Sequence, residues 1–246
     1  MSLRIKTLIC LSGVLSLYLA FDLFLYQHRI LPGFVELERA QALQNYDRCI
    51  KAIDREHHLL SRTCRDWSWW TDTWNYALNP DKEYEDENLV VSTFQNFDLA
   101  AFYIYNSHGE KAWGHSYNPD TEEYGVFEDF EQPLSQSIID MLNIVKVDVA
   151  VSGWVHTSRG PVLFASSVIL NSEGEGESHG QLVMARLIDE KFAFTLSAQT
   201  ELTVTIQSGV SQDHTPHDPI IGYPDDTTMT VTGCYPDITG KNMMKV

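Results

Sequence analysis

From Thr7 to Tyr26 the chain is apolar, with Asp22 the one charge in the run. That is roughly the twenty residues a helix needs to cross a bilayer. Arg4 and Lys6 precede it, and basic residues favour the cytoplasmic side, so the rest of the chain is expected outside. A cleavable signal peptide would have a shorter apolar core followed by small residues. Leu23 to Arg29 are bulky instead. Residues 1–29 therefore read as a cytoplasmic start and an uncleaved membrane anchor.

The pattern then changes. Tyr46, Ile50, Ile53, His57, Leu60, Cys64, Trp67, Thr71 and Trp74 recur four and three residues apart. This spacing keeps one helical seam facing a partner, as in a coiled coil or bundle, and predicts a helix from Phe34 to about Leu78. A helix of that length measures roughly 65 Å, more than one small domain covers. Residues 30–78 are thus expected as a stalk that becomes a packed helix.

Asn79-Pro80-Asp81 stops the helix, because proline removes a donor and fixes φ. Asp81 to Asn88 reads as a loop or a short helix start. Leu99–Tyr105 is a short buried strand, and after the turn at Asn106 to Gly109 its hairpin partner runs over Lys111–Tyr117. Asn118 to Phe130 is acidic and irregular. Leu134 to Val145 has helical spacing. Strands are predicted at Val149–His156, Pro161–Leu170, Gly180–Ile188 and Leu202–Gln207, with a helix at Phe192–Thr200. The expected architecture is α+β, one antiparallel sheet flanked by helices over 79–210, in an order compatible with a PAS-like core. Residues 211–246 are expected to be irregular.

Composition narrows the partners. The net charge of −17 argues against nucleic acid and against an anionic membrane surface. Cys49 and Cys64 are separated by about 22 Å on one helix, too far for a disulfide between them. Either could meet its copy in a dimer or Cys234, and free thiols are the default expectation. The histidines are scattered, and His214 and His217 have no cysteine or spaced carboxylate beside them to make a metal site. No nucleophile elbow, zinc motif or phosphate loop is visible, so no catalytic residue, metal or cofactor is assigned.

The densest chemistry lies in Asp66 to Tyr76, which holds four of the six tryptophans and two aspartates. On a continuous helix Trp67, Trp70 and Trp74 share one face, with Asp66 and Asp72 at its margins. Electron-rich rings beside carboxylates suit a cation. A helix anchored to a sheet through tryptophans has the same composition. Arg186 interrupts an apolar strand. It could grip an acidic ligand group, pair with Asp66 or Asp72, or face water.

Two stretches carry a family resemblance. One is Asp66-Trp67-Ser68-Trp69-Trp70-Thr71-Asp72-Thr73-Trp74-Asn75-Tyr76, followed by Tyr84 and Asn88-Leu89. The other is Ile169-Leu170-Asn171-Ser172, then Gly176, Gly180, Leu182, Arg186 and Asp189. Together, from about Phe34 to Leu202, they resemble the fourth class of CHASE domains, the extracytoplasmic sensors of membrane cyclases and histidine kinases. Thr71 stands where the family usually has an aspartate, Val168 where it has proline, and Ala185 where it has glycine.

The resemblance implies a periplasmic PAS-like (Cache-type) sensor anchored in the inner membrane and homodimeric through its stalk. It also implies a small-molecule or protein signal, with Asp66, Trp67, Trp70, Asp72, Trp74 and Arg186 as the ligand-binding residues. An output module would follow a second membrane helix, so a chain ending at Val246 is expected to be truncated. A ligand-free dimerisation scaffold and a membrane-anchored periplasmic hydrolase are the alternatives.

Overall fold

The computed structural model describes residues 2–134, 138–139, 142–143, 150–174, 176–210, 219–225, 227–238, 240 and 243–246. Contacts divide the chain into two compact units, Met1–Tyr46 with Ile221–Val231, and Asp47–Ile220 with Thr232–Val246.

In the first unit, helix α1 (Leu3–Leu25) buries none of its residues and is long and apolar enough to cross a membrane. A π turn over Tyr26–Ile30 leads into α2 (Leu31–Ser68). The short strands β8 (Ile220–Gly222) and β9 (Thr230–Thr232) form a two-stranded pair.

The second unit holds the end of α2, α3 (Thr71–Leu78), α4 (Lys82–Asn88) and α5 (Val91–Phe97). Next come β1 (Ala101–Asn106), β2 (Lys111–Asn118), β3 (Glu123–Gly125), β4 (Val151–Thr157), β5 (Gly160–Val168), β6 (Gly180–Leu187) and α6 (Glu190–Thr200). Among the described residues six strands form one antiparallel sheet in the order β3-β2-β1-β6-β5-β4. A smaller sheet joins β10 (Cys234–Pro236), β11 (Met243–Lys245) and β7 (Gln207–Val210). The expected α+β, PAS-like architecture is the observed one.

Strand alternation places a core on each face of the sheet. Phe102, Ile104, Leu163, Ala165, Leu182 and Met184 pack with Ile53, Leu60 and Cys64 of α2. Tyr103, Tyr105, Val155, Val162, Phe164 and Val183 pack with Phe127, Phe130 and Ile138 on the other face. The helical seam at Ile53, His57, Leu60 and Cys64 is buried against this chain's own sheet. All four cysteines are free thiols, as expected. Burial pushes the Cys64 thiol up.

Four expectations need correction. Residues 211–246 are not irregular throughout, because β8, β9, β10 and β11 find strand partners there. The helix is not continuous to Leu78: α2 ends at Ser68, Trp70 is extended (φ −98°, ψ 130°), and α3 restarts at Thr71. The irregular acidic stretch contains β3, and α4 and α5 fill the interval between α3 and β1. Residues 203–206 form no strand, because the Val204 N–H donates to Ser197 Oγ of α6 (2.9 Å) instead of to a ladder. The short helix start at Asp81 is real, since its carboxylate accepts from the Tyr84 N–H (2.9 Å) and so caps α4. Most of the helix expected over 134–145, the start of the strand expected at 149, His214 and His217 lie outside the described residues.

Candidate functional site

The break between α2 and α3 exists because another part of the chain satisfies it. A helix end leaves backbone groups without partners. Here the carbonyl of Ser68 accepts from the Leu170 N–H (3.0 Å), and the Thr71 N–H donates to Ser172 Oγ (3.0 Å). The Ser172 N–H returns a bond to Thr71 Oγ1 (3.2 Å), and the two hydroxyls are 2.8 Å apart. Ser68 Oγ donates to Ser167 Oγ (2.7 Å) in the buried interior. The tryptophan-aspartate stretch and the connection from β5 to β6 are therefore one clasp.

Its other half is aromatic. Trp74 stacks on His179 (ring centroids 3.9 Å apart, 14° between planes). Its indole N–H donates to the Glu177 carbonyl (3.1 Å), while His179 Nδ1 lies 2.8 Å from the Trp74 carbonyl. Trp69 carries the Arg65 guanidinium 4.1 Å above its ring, and a Cβ added at Gly174 would come within 3.0 Å of the same ring. Trp69 Nε1 is buried and has no partner among the described residues. Gly180 closes the turn at φ +129°, where a Cβ would stand 1.9 Å from the Tyr105 carbonyl oxygen. Only glycine is accommodated there.

Trp67, Trp70 and Trp74, expected on one helical face, are divided by the break at Trp70. Trp67 lies at the end of α2 with its ring edge-on to Trp70, Phe97 and Phe102, and these rings fill the space between helix end and sheet. Trp70 is 38% exposed and leans on Trp67 and Tyr84. Trp74 belongs to the clasp. Asp66 and Asp72 are exposed. Burial pushes the Tyr84 phenol up to about 12, against a bond from Thr73, and the nearby Asp72 and Asp81 carboxylates add to the rise.

Arg186 joins neither aspartate. It points to the α2 side of the sheet, where Nη1 donates to Glu56 Oε2 (3.0 Å) and Nε to the Phe97 carbonyl (3.0 Å). Glu56 also accepts from Gln199 Nε2 of α6 (2.8 Å). Four elements, α2, α5, α6 and β6, meet at this buried pair. Beside it His57 is buried, with Nε2 unpartnered among the described residues. Desolvation, with a smaller opposing pull from Asp54 and a push from His58, lowers its pKa to about 4. Tyr235 of β10 places its ring edge-on to His57 (5.8 Å) and its hydroxyl on Asp54 Oδ1 (2.7 Å). Strand β10 is thereby fastened to α2.

Sequence reasoning missed Glu56 and Trp69. Glu56 is one of many acidic positions, and only its spacing from the buried seam hinted at an inward role. Trp69 fell off the face assumed for an unbroken helix.

A family model for the CHASE4 domain matches residues 52–207, more than half of the chain. Over 199 residues the chain is 24% identical to the methanogenesis regulatory histidine kinase FilI of Methanothrix harundinacea (strain 6Ac). The match covers 77% of this chain and 21% of FilI, so the chain spans about a fifth of that relative's length. The extracellular domain of the putative histidine kinase vpHK1S-Z8 superposes with a TM-score of 0.58 at 12% identity, covering 86% of this chain and 94% of that one. That likeness is one of fold. The clasp unites the two stretches that carried the resemblance, the family model spans both, and the chain belongs to the CHASE4 domain family.

Proposed function

We propose that this chain is the extracytoplasmic sensor part of a membrane-anchored signalling receptor. The signal is a small molecule or protein met in the periplasm, the anchor lies in the inner membrane, and two copies pair through the stalk helix. Output resides in a kinase or cyclase module of the whole receptor. The observation that carries this reading is the clasp, which fastens the end of α2 to the β5–β6 connection through hydroxyl, indole and imidazole contacts. A ligand that shifts the connection therefore pulls on the helix. Trp70, part-exposed between Asp66 and Asp72 in sequence, offers the contact surface, and a cationic group suits a ring flanked by carboxylates. Trp67, edge-on to Trp70, supports that surface, and Trp74 ties the same helix end to the β5–β6 connection.

The test uses the full-length receptor with Trp70→Ala and Asp72→Ala. Signal-dependent output should fall in both variants while the thermal unfolding midpoint of Asp72→Ala stays within a degree or two of the parent. Unchanged output in both variants sinks the assignment. A receptor that gives full output with no added signal, in parent and variants alike, points instead to the scaffold.

A further inference from the structure

Opposite the seam that packs on the sheet, α2 carries a second periodic row. Arg48, Lys51, Arg55, His58, Arg62 and Arg65 recur at intervals of three and four residues, and all six are exposed. Five of the chain's 17 Lys and Arg residues thus fall within eighteen positions of a chain whose net charge is −17. Electrostatic attraction of anions, unfavourable over the molecule as a whole, becomes favourable along this row.

The first part of the row is more than a solvated helix face. The end of α6 lies against it, and the two helices enclose an open groove of about 470 Å³. That volume lies within the range of small-molecule sites. Arg48, Lys51, Arg55 and His58 line it from α2, with Gln199 and Thr200 opposite. The guanidinium groups are held in place from α6: Arg48 Nη2 donates to the Thr200 carbonyl, and Arg55 Nη2 reaches Gln199 Oε1 (3.5 Å). Gln199 is itself fixed by its bond to Glu56.

Two carboxylates temper the charge. Asp54, within the groove lining, accepts the Tyr235 hydroxyl. Asp47 pairs with Lys51 (2.6 Å) with both side chains largely exposed, and such a pair is worth little and exchanges readily.

We propose that the groove between α2 and α6 binds a small anion with at least two negative charges, such as phosphate or a short dicarboxylate. Guanidinium forks match both head groups in bidentate geometry. Lys51 and Arg55 are about 6 Å apart along the helix axis, and Arg48 and Arg55 about 10 Å, so two anionic groups can be met at once. The bound anion joins α2 to the end of α6, at the same elements that meet in the Glu56–Arg186 pair. This site is separate from the clasp, and its test does not depend on the sensor reading.

The experiment is calorimetric titration of the full chain in neutral detergent with inorganic phosphate and, separately, succinate, with sodium chloride at matched ionic strength as reference. Saturable binding of at least one anion is expected, weakened about tenfold or more by Arg55→Gln, as for loss of one charge-assisted hydrogen bond. Arg65→Gln, outside the groove, should leave the affinity within twofold. Whichever anion binds identifies the head group. Absence of binding by either anion, or equal weakening by Arg55→Gln and Arg65→Gln, overturns the site in favour of general charge attraction. Retention on anionic lipid vesicles without binding of either free anion overturns it in favour of a membrane surface. Circular dichroism checks the fold, and Lys51→Gln, at a largely exposed side chain, supplies the same comparison if Arg55→Gln unfolds.

Discussion

Thr71 and Ser172, 101 residues apart in sequence, exchange backbone-to-hydroxyl bonds in both directions, with their hydroxyl oxygens 2.8 Å apart. Thr71 occupies the place where an aspartate is usual in the resembling family. In this chain it is a capping partner, and what reads in sequence as a missing carboxylate is in the structure a joint between two motifs.

That joint can be weighed directly. Thr71→Val keeps the shape and removes the hydroxyl, so it should lower unfolding stability by about 1 kcal/mol. Ser172→Ala should cost a similar amount. Because both changes remove the hydroxyl–hydroxyl bond, the double variant should be less destabilised than the sum. Urea unfolding of the four proteins gives the coupling energy, and strict additivity would show that the two hydroxyls are not coupled.

Trp67 and Trp70 separate packing from exposure. Trp67 fills the gap between helix and sheet, so Trp67→Ala should cost about 3 kcal/mol or more. Trp70, 38% exposed, should cost clearly less on truncation. Thermal unfolding of both variants decides it, and an equal loss would place Trp70 in the core rather than on a contact surface.

The Glu56–Arg186 pair is largely buried, with side-chain exposures of 13% and 10%. Removing one partner leaves a buried charge, and Arg186→Met should destabilise by about 3 kcal/mol. Replacing both, Glu56→Met with Arg186→Met, should recover a substantial part of that loss. A double variant no better than Arg186→Met alone would show that the Phe97 and Gln199 bonds, not the ion pair, dominate.

His57 sets a pH dependence. Its folded-state pKa of about 4 lies below the ordinary imidazole value of 6.5, so between these values the unfolded chain binds a proton that the native protein excludes. Stability should therefore be unaffected by this group above about pH 7 and decline as pH falls toward 4. The full loss is about 3 kcal/mol. Carboxylates add their own slope below pH 5, so the comparison is with His57→Leu. Denaturant unfolding between pH 7.5 and 5 should show a flatter profile in the variant, and parallel profiles would refute the role of His57.

Much of the fold was legible because its periodicities are local. The seam from Ile53 to Cys64 gave the buried face of α2, and the run from Leu99 to Tyr105 gave a strand buried on both sides. Both were read correctly because burial at a fixed repeat needs no knowledge of the partner. The break at Ser68–Thr71 was invisible: nothing nearby stops the helix, since no proline or glycine occurs there. Its cause is a serine 101 residues away. The carboxyl-terminal strands were equally hard to see, at three or four residues each, because pairing rather than propensity creates them.

The candidate site divides in the same way. Sequence by itself determined which residues stand out as a group, because tryptophans beside aspartates and a glycine turn before an arginine strand are dense, spaced signals. It also determined the family, an amino-terminal stretch long and apolar enough to cross a membrane, and the expectation of an α+β sensor. Tertiary structure alone decided what each residue touches. Arg186 found Glu56 instead of Asp66 or Asp72, because strand parity aims it at the middle of α2. Trp74 found His179, and Thr71 found Ser172, because the β5–β6 connection folds back onto the helix end. Periodicity fixes a side chain's direction from its own backbone, but its partner is set by which distant segment the packed sheet brings opposite.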